Sequence, residues 1–256
     1  MKLEQRTILI TGGTSGIGLE LAKRLLQQGN TVIVTGRDAV KLEATKAALP
    51  NIHILQSDVR DPVAIGALYD KVLSQFPALD TLINNAGIMR NLDMNKPRDL
   101  ADVTREIEIN LNGPVRMVQQ FLPHLKTRPH ALLVNVSSGL AFVPLPLSPV
   151  YSATKAAIHS FCQSLRVQLK GTNVTVVELA PPGTATPLFY GEFEKETKNQ
   201  KGVMQVDVLV NHAIRGIEAG KLEIRPGLSN VLKLMSRVAP SFMLSQLAKM
   251  GDAKDN

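Results

Sequence analysis

The chain has 256 residues, a net charge of +7, 44% hydrophobic and 20% charged residues, and a single cysteine, Cys162. That balance excludes a disordered chain and a disulfide-stapled scaffold, and no stretch approaches the ~18 uninterrupted apolar residues of a membrane span. The positive charge is dispersed: residues 1–184 carry 19 Lys and Arg against 14 Asp and Glu, with no run of five bases, so no nucleic-acid surface is expected.

The first segment, "MKLEQRTILIT", resembles neither a signal nor a transit peptide, and with the lone cysteine it fits a cytoplasmic protein. "TILIT" predicts a strand. A helix is expected from about Ile17 to Gln28, then a break at Gly29-Asn30 and a second strand, "TVIVT". Between the first strand and this helix stands "TGGTSGIG", with glycines at Gly12, Gly16 and Gly18. Such a turn lets backbone approach a phosphate, and the helix N-terminus adds free N–H groups and a positive dipole end. The spacing G-x-x-x-G-x-G differs from the common dinucleotide fingerprint G-x-G-x-x-G, so purely structural glycines remain a competing reading.

The second strand ends in "TGRD", where the adenine ribose of a dinucleotide would lie. Arg37 stands where an acidic residue would read the ribose hydroxyls of NAD. Its guanidinium suits a 2′-phosphate, so NADP(H) is expected over NAD(H), against the alternative of a solvated surface arginine. The alternation continues through "IHILQ", "DTLIN", "ALLVNV" and "NVTVVEL", each apolar on both faces as parallel strands sandwiched by helices should be. Helices are expected at about Ala39–Leu49, Pro62–Gln75, Asp99–His124 and Val150–Lys170, with a last short strand near Leu222–Arg225. The fold class is a doubly wound α/β sheet of Rossmann type, in one domain over residues 1–256.

In "YSATK", Tyr151 and Lys155 are four apart and share a helix face. The ammonium is expected to lower the phenol pKa toward the range of a working proton donor and acceptor. A Tyr-x-x-x-Lys pair alone arises often by chance. Together with "TGGTSGIG", with "NNAG" at Asn84 to Gly87, and with Ser138 lying 13 residues before Tyr151, it makes the chain resemble the short-chain dehydrogenase/reductase family over almost its whole length.

That resemblance implies seven strands in three layers and hydride transfer between a nicotinamide and a carbonyl or secondary alcohol. Ser138 would hold the substrate oxygen, Tyr151 move the proton, Lys155 tune Tyr151 and bind the nicotinamide ribose, and Asn110 in "EIEINLNGP" support a proton relay. It implies a cofactor set of Gly12, Thr14, Ser15, Gly16, Ile17, Gly18, Arg37, Asp58, Val59, Asn85, Ala86, Gly87, Tyr151, Lys155, Pro181 and Thr186. Pro181-Pro182 replaces the usual Pro-Gly before Thr186. Singly, Ser138 also reads as a turn hydroxyl, Asn110 as a helix-bending polar residue and Asp58 as a helix cap. The family also implies a homodimer or homotetramer.

The five histidines show no paired ligand spacing and no metal is implied. His159, four beyond Lys155, reads as a packing or interface residue ahead of a role near the site. Residues 186–206 form the expected substrate loop, with Phe189, Tyr190, Phe193 and Met204 divided between pocket and core. Residues 228–250 form an amphipathic tail broken by Pro240. Docking on the protein's own pocket or on a partner subunit is favoured there over peripheral membrane contact. "EAGKLEIRPG" with "LMSRVAP" resembles the DltE-type branch of the family. The competing function is a catalytically idle NADP(H) sensor or scaffold that uses the tail to hold a partner.

Overall fold

A computed structural model describes residues 2–193 and 202–252, with no side chains described for 250–252. Residues 194–201 of the expected substrate loop and the "KDN" end therefore lie outside the described residues. The strands are β1 (Thr7–Thr11), β2 (Thr31–Gly36), β3 (His53–Gln56), β4 (Thr81–Asn84), β5 (Ala131–Val136), β6 (Val174–Leu179) and β7 (Glu223–Ile224). They form a seven-stranded sheet in the order β3-β2-β1-β4-β5-β6-β7. Every pairing is parallel.

The main helices are α1 (Gly16–Gln27), α2 (Ala39–Ala48), α3 (Pro62–Gln75), α4 (Gly113–Leu125), α5 (Pro149–Gln168), α6 (Val206–Glu218), α7 (Leu228–Val238) and α8 (Pro240–Asp252). The continuous apolar runs of the strands are explained by two cores, one on each face of the sheet. Ile8 and Ile10 pack with Val32, Val34, Ile83 and the buried faces of α1 and α6. Leu9, between them, packs with Ile33, Leu82 and Leu133 against α3, α4 and α5. Alternation along a strand sends successive side chains to opposite faces, so both faces must be apolar.

Two expectations are corrected. "IHILQ" is not apolar on both faces: β3 is the sheet edge, with His53 and Gln56 exposed and Ile54 and Leu55 half-buried. The helix expected over Asp99–His124 is broken into short turns at Leu100–Val103 and Arg105–Ile107, a π-helical turn at Glu108–Asn112, and α4. Pro114 explains the π turn, because it has no N–H for the residue four earlier and its ring crowds that carbonyl. Pro240 splits the tail as expected, into α7 and α8. Among the described residues no helix is long and apolar enough to cross a membrane.

Candidate active site

The strand order reverses direction between β1 and β4, and the crevice above their carboxyl ends is where a doubly wound sheet binds ligands. Here it is a cavity of about 980 Å³. At its centre the β1 and β4 ends are tied together. Thr11 Oγ1 accepts from the N–H groups of Asn85 and Ala86, each at 3.1 Å, while Asn85 Nδ2 donates to the Thr11 and Gly12 carbonyls, each at 3.0 Å.

This close approach explains the glycines. Gly12 has φ +66°, and a Cβ there would stand 2.8 Å from the Ala86 Cα. Gly18 does not line the cavity; it lets α1 pack, since a Cβ would meet Asn85 Nδ2 at 2.4 Å. At the start of α1, Ser15 makes no side-chain capping bond and the first turn carries no acid. The orphan N–H groups and dipole of that terminus thus face the cavity with no acid in the helix's own first turn to compete, which fits a pyrophosphate.

Thr14, Ser15, Gly16, Ile17, Arg37, Asp58, Val59, Asn85, Ala86, Gly87, Pro181 and Thr186 all line the same cavity. Arg37 is exposed at the end of β2 and forms no ion pair among the described residues. Lys41, which sequence reasoning missed, lines this lobe beside it. Asp58 is engaged by Arg60 at 2.6 Å, and despite some burial the Arg60 contacts and the Arg37 charge hold its carboxyl below the usual range. Asp58 is not a helix cap: Asp61 caps α3, accepting from the Val63 N–H at 2.8 Å. The Pro181-Pro182 loop stays on the site, with the Pro181 carbonyl accepting from Gly139 N–H at 2.8 Å. Thr186 caps the turn Pro187–Tyr190 and packs against Gly16.

Ser138, Tyr151 and Lys155 meet on the cavity wall at the carboxyl end of β5 and the first turns of α5. Ser138 Oγ accepts from the Leu140 N–H at 3.1 Å and hydrogen-bonds the Tyr151 phenol. Lys155 Nζ donates to the Val136 carbonyl at 2.9 Å and lies 5.5 Å from the Tyr151 ring centroid. Asn110 does not line the cavity but stands behind it. Its side-chain amide brackets Ile88, accepting from the N–H at 2.9 Å and donating to the carbonyl at 2.8 Å.

The expected lowering of the phenol by Lys155 is not what this arrangement produces. Burial pushes Tyr151 up to about 12, the Ser138 bond opposing and the Glu106 carboxylate adding. Burial also lowers Lys155 to about 8, with Glu106 opposing. The lysine is turned to a backbone carbonyl, and its charge is not spent on the phenol oxygen. A phenol this weakly acidic stays protonated at neutral pH, the form that donates a proton.

Glu106 is the charged neighbour that sequence reasoning missed. It is fully buried, Oε1 accepts from the Arg90 N–H at 2.9 Å, and Oε2 has no hydrogen-bond partner among the described residues. Burial pushes its carboxyl up to about 7, with Arg90 and Lys155 opposing. Below its ordinary range both folded and unfolded chains hold the proton. Between that range and about 7 only the folded chain does, so stability falls as pH rises through this window and stays reduced above it. Glu106→Gln keeps the acceptor for Arg90 and removes the buried charge. It is expected to stabilise the fold by roughly 1–3 kcal/mol at about pH 8 and hardly at all at about pH 4. Urea unfolding at both pH values checks this.

The cavity also has an apolar wall of Leu140, Leu145, Leu188 and Phe189, with Leu228, Leu232 and Leu247 from the tail. The tail thus docks on the pocket of its own chain, although Val231, Leu234, Val238 and Phe242 remain exposed. Of the four candidates only Phe189 lines the cavity; Phe193 is buried outside it, Tyr190 is exposed and Met204 packs on a core. At the mouth, Arg90 joins Asp102 at 2.8 Å and Glu192 at 3.4 Å, tying the start of the 186–206 segment across the cavity. No local motif marks these charged partners, because the fold brings them from far apart in the chain.

A sequence model of the short chain dehydrogenase family matches residues 6–197. The chain is 46% identical over 225 residues to the uncharacterized oxidoreductase DltE of Bacillus subtilis, covering 88% of this chain and 89% of that protein. It is 34% identical over 175 residues to the NADP-dependent 3-hydroxy acid dehydrogenase YdfG of Escherichia coli K12, covering 68% and 71% of the two chains. Among solved structures, a short-chain dehydrogenase from Sphingobium yanoikuyae in complex with NADPH superposes with a TM-score of 0.80 at 27% identity, covering 98% of this chain and 96% of that one.

Proposed function

The chain belongs to the short-chain dehydrogenase/reductase family of oxidoreductases, and from that premise we propose that it is an NADP(H)-dependent reductase of small carbonyl compounds, or the reverse dehydrogenase of their secondary alcohols. The observation that carries this reading is that both halves of the site share one cavity. One lobe joins the uncapped start of α1 to Arg37 and Lys41, and the other joins Ser138 and Tyr151 to an apolar wall.

NADPH, when bound, supplies the hydride. Ser138 donates to the carbonyl oxygen and holds it beside Tyr151, whose phenol gives that oxygen its proton. Lys155 supports the phenolate left behind, and Asn110 holds the Gly87-Ile88 backbone against Lys155: a Cβ at Gly87 would lie 3.3 Å from Asn110 Oδ1 and 3.7 Å from Lys155 Nζ. Arg37 and Lys41 favour the extra phosphate of NADP, as two of the relatives above bind or depend on NADP. Leu140, Phe189, Leu228, Leu232 and Leu247 suit the apolar end of a substrate.

A cytoplasmic protein and a homodimer or homotetramer belong to the same reading. Cys162 is buried, and the exposed apolar stripe of α7 and α8 is a surface for a second copy; sedimentation of the purified chain checks the oligomer. The proposal is tested by following reduced-nicotinamide absorbance with a panel of aldehydes, ketones and secondary alcohols. Turnover with an apolar carbonyl is expected. Tight NADPH binding with no turnover across the panel would replace this reading with the sensor.

A further inference from the structure

The tail does more than line the pocket. Helix α7 reaches the residues on both sides of Ser138. On one side, Ser137 Oγ donates to the buried Glu178 at 2.5 Å, and the other oxygen of Glu178 meets His159 Nδ1 at 2.7 Å. His159 Nε2 is met at 2.9 Å by the Lys233 ammonium of α7 and at 3.0 Å by the Gln163 amide. The Lys233 ammonium can only donate, so Nε2 is the acceptor and the imidazole proton sits on Nδ1, pointing at Glu178, with the Gln163 amide alongside. The chain of contacts Lys233–His159–Glu178–Ser137 is therefore directional and complete.

On the other side, the short turn Gly139–Ala141 carries the Leu140 N–H that Ser138 Oγ accepts. Helix α7 covers this turn. A Cβ at Gly139 would stand 2.7 Å from Ser229 Oγ and 3.1 Å from a Leu232 methyl carbon. Phe142, next after the turn, lies edge-on to His159 with centroids 5.1 Å apart, and Lys233 Nζ is 4.6 Å from its ring centroid. One side chain, Lys233, thus holds both the network behind Ser137 and the aromatic ring that ends the turn.

His159, Glu178 and Glu223 bring ligand atoms within 4.8 Å of one another, a spacing that by itself would suit a cation. Lys233 on His159, and Arg166 and Arg225 on Glu223, already supply that positive charge. The cluster is a closed hydrogen-bond network.

We propose that Lys233 is a positioning residue for the reaction: through His159, Glu178 and Phe142 it fixes the Ser137–Phe142 segment, and so sets the direction in which the Ser138 hydroxyl points. Ser138 Oγ spends an acceptor site on Leu140, which leaves its hydrogen to be aimed at Tyr151 or at a substrate oxygen. A turn free to rotate would lose that aim. The inference rests on the reductase reading for its catalytic consequence, while the mechanical part stands on the network alone.

The experiment uses the full-length chain with NADPH and the variant Lys233→Met, which keeps the aliphatic stem. Amide hydrogen exchange of a peptide spanning 137–142 is expected to accelerate about tenfold, with residues 7–36 unchanged. kcat with a carbonyl turned over by the wild type is expected to fall about tenfold at unaltered KM for NADPH. In a Ser138→Ala background, Lys233→Met is expected to add no further loss, because a residue that acts through Ser138 has nothing left to position. Unchanged exchange at 137–142, an equal loss in both backgrounds, or a parallel loss of NADPH affinity would each overturn the inference. If the wild-type protein reduced no carbonyl, the reductase reading would fail, and the exchange measurement would still decide whether Lys233 holds the segment.

Discussion

Tyr151→Phe is expected to cut kcat by about 10²–10⁴-fold while NADPH still binds. The phenol adjoins Ser138 on the cavity wall, and burial, by pushing it up to about 12, keeps it in the protonated form at neutral pH. Phenylalanine fills the same buried space, so the fold is retained and the lost activity reports the hydroxyl alone. Lys155 adds a pH signature. Its ammonium is lowered to about 8, so it is charged below that pH and neutral above it. The kcat/KM for carbonyl reduction, which reports the free enzyme, is expected to be level in the neutral range and to fall as pH rises through about 8. A Tyr151→Phe protein with near-wild-type kcat would remove the phenol from the chemistry.

Arg37→Asp is expected to weaken NADPH about 10- to 100-fold and to leave NADH binding equal or improved. Arg37 stands at the end of β2 and forms no ion pair among the described residues, and Lys41 lines the same lobe, whereas Arg60 is neutralised by Asp58. A carboxylate at position 37 would repel a 2′-phosphate and accept from ribose hydroxyls. Titration of both cofactors by fluorescence quenching or calorimetry measures the ratio. Equal losses for NADPH and NADH would show that Arg37 does not contact the distinguishing phosphate.

What was legible in the sequence was local. Strand runs such as "TILIT" and "ALLVNV" carry consecutive apolar residues because helices cover both faces, and that pattern needs no tertiary knowledge. The Gly12–Gly18 turn and the Tyr151/Lys155 spacing are likewise fixed by a few consecutive residues. The exposed edge strand β3 was harder, since His53 and Gln56 report their exposure only once β3 is known to end the sheet. Pro114 was a visible signal for the π turn around Asn110 that a continuous apolar period concealed.

The electrostatics were the least legible part. Four residues on a helix do bring Lys155 near Tyr151, but the direction of the phenol shift depends on burial and on Glu106, which arrives from another element. The same holds for the tail. Its amphipathic pattern was plain, yet that Leu228, Leu232 and Leu247 complete the cavity, and that Lys233 meets His159 across 74 residues, are consequences of where β7 returns the chain.

The most direct test of the reductase reading is transfer of label. The purified chain is incubated with an apolar carbonyl and NADPH carrying deuterium at one or the other face of nicotinamide C4, and the alcohol product is weighed by mass spectrometry. One of the two labelled cofactors is expected to deliver deuterium to the carbinol carbon with the wild-type protein, and to do so about 10²–10⁴-fold more slowly with Tyr151→Phe. Tightly bound NADPH that delivers deuterium to no carbonyl in the panel would contradict the account.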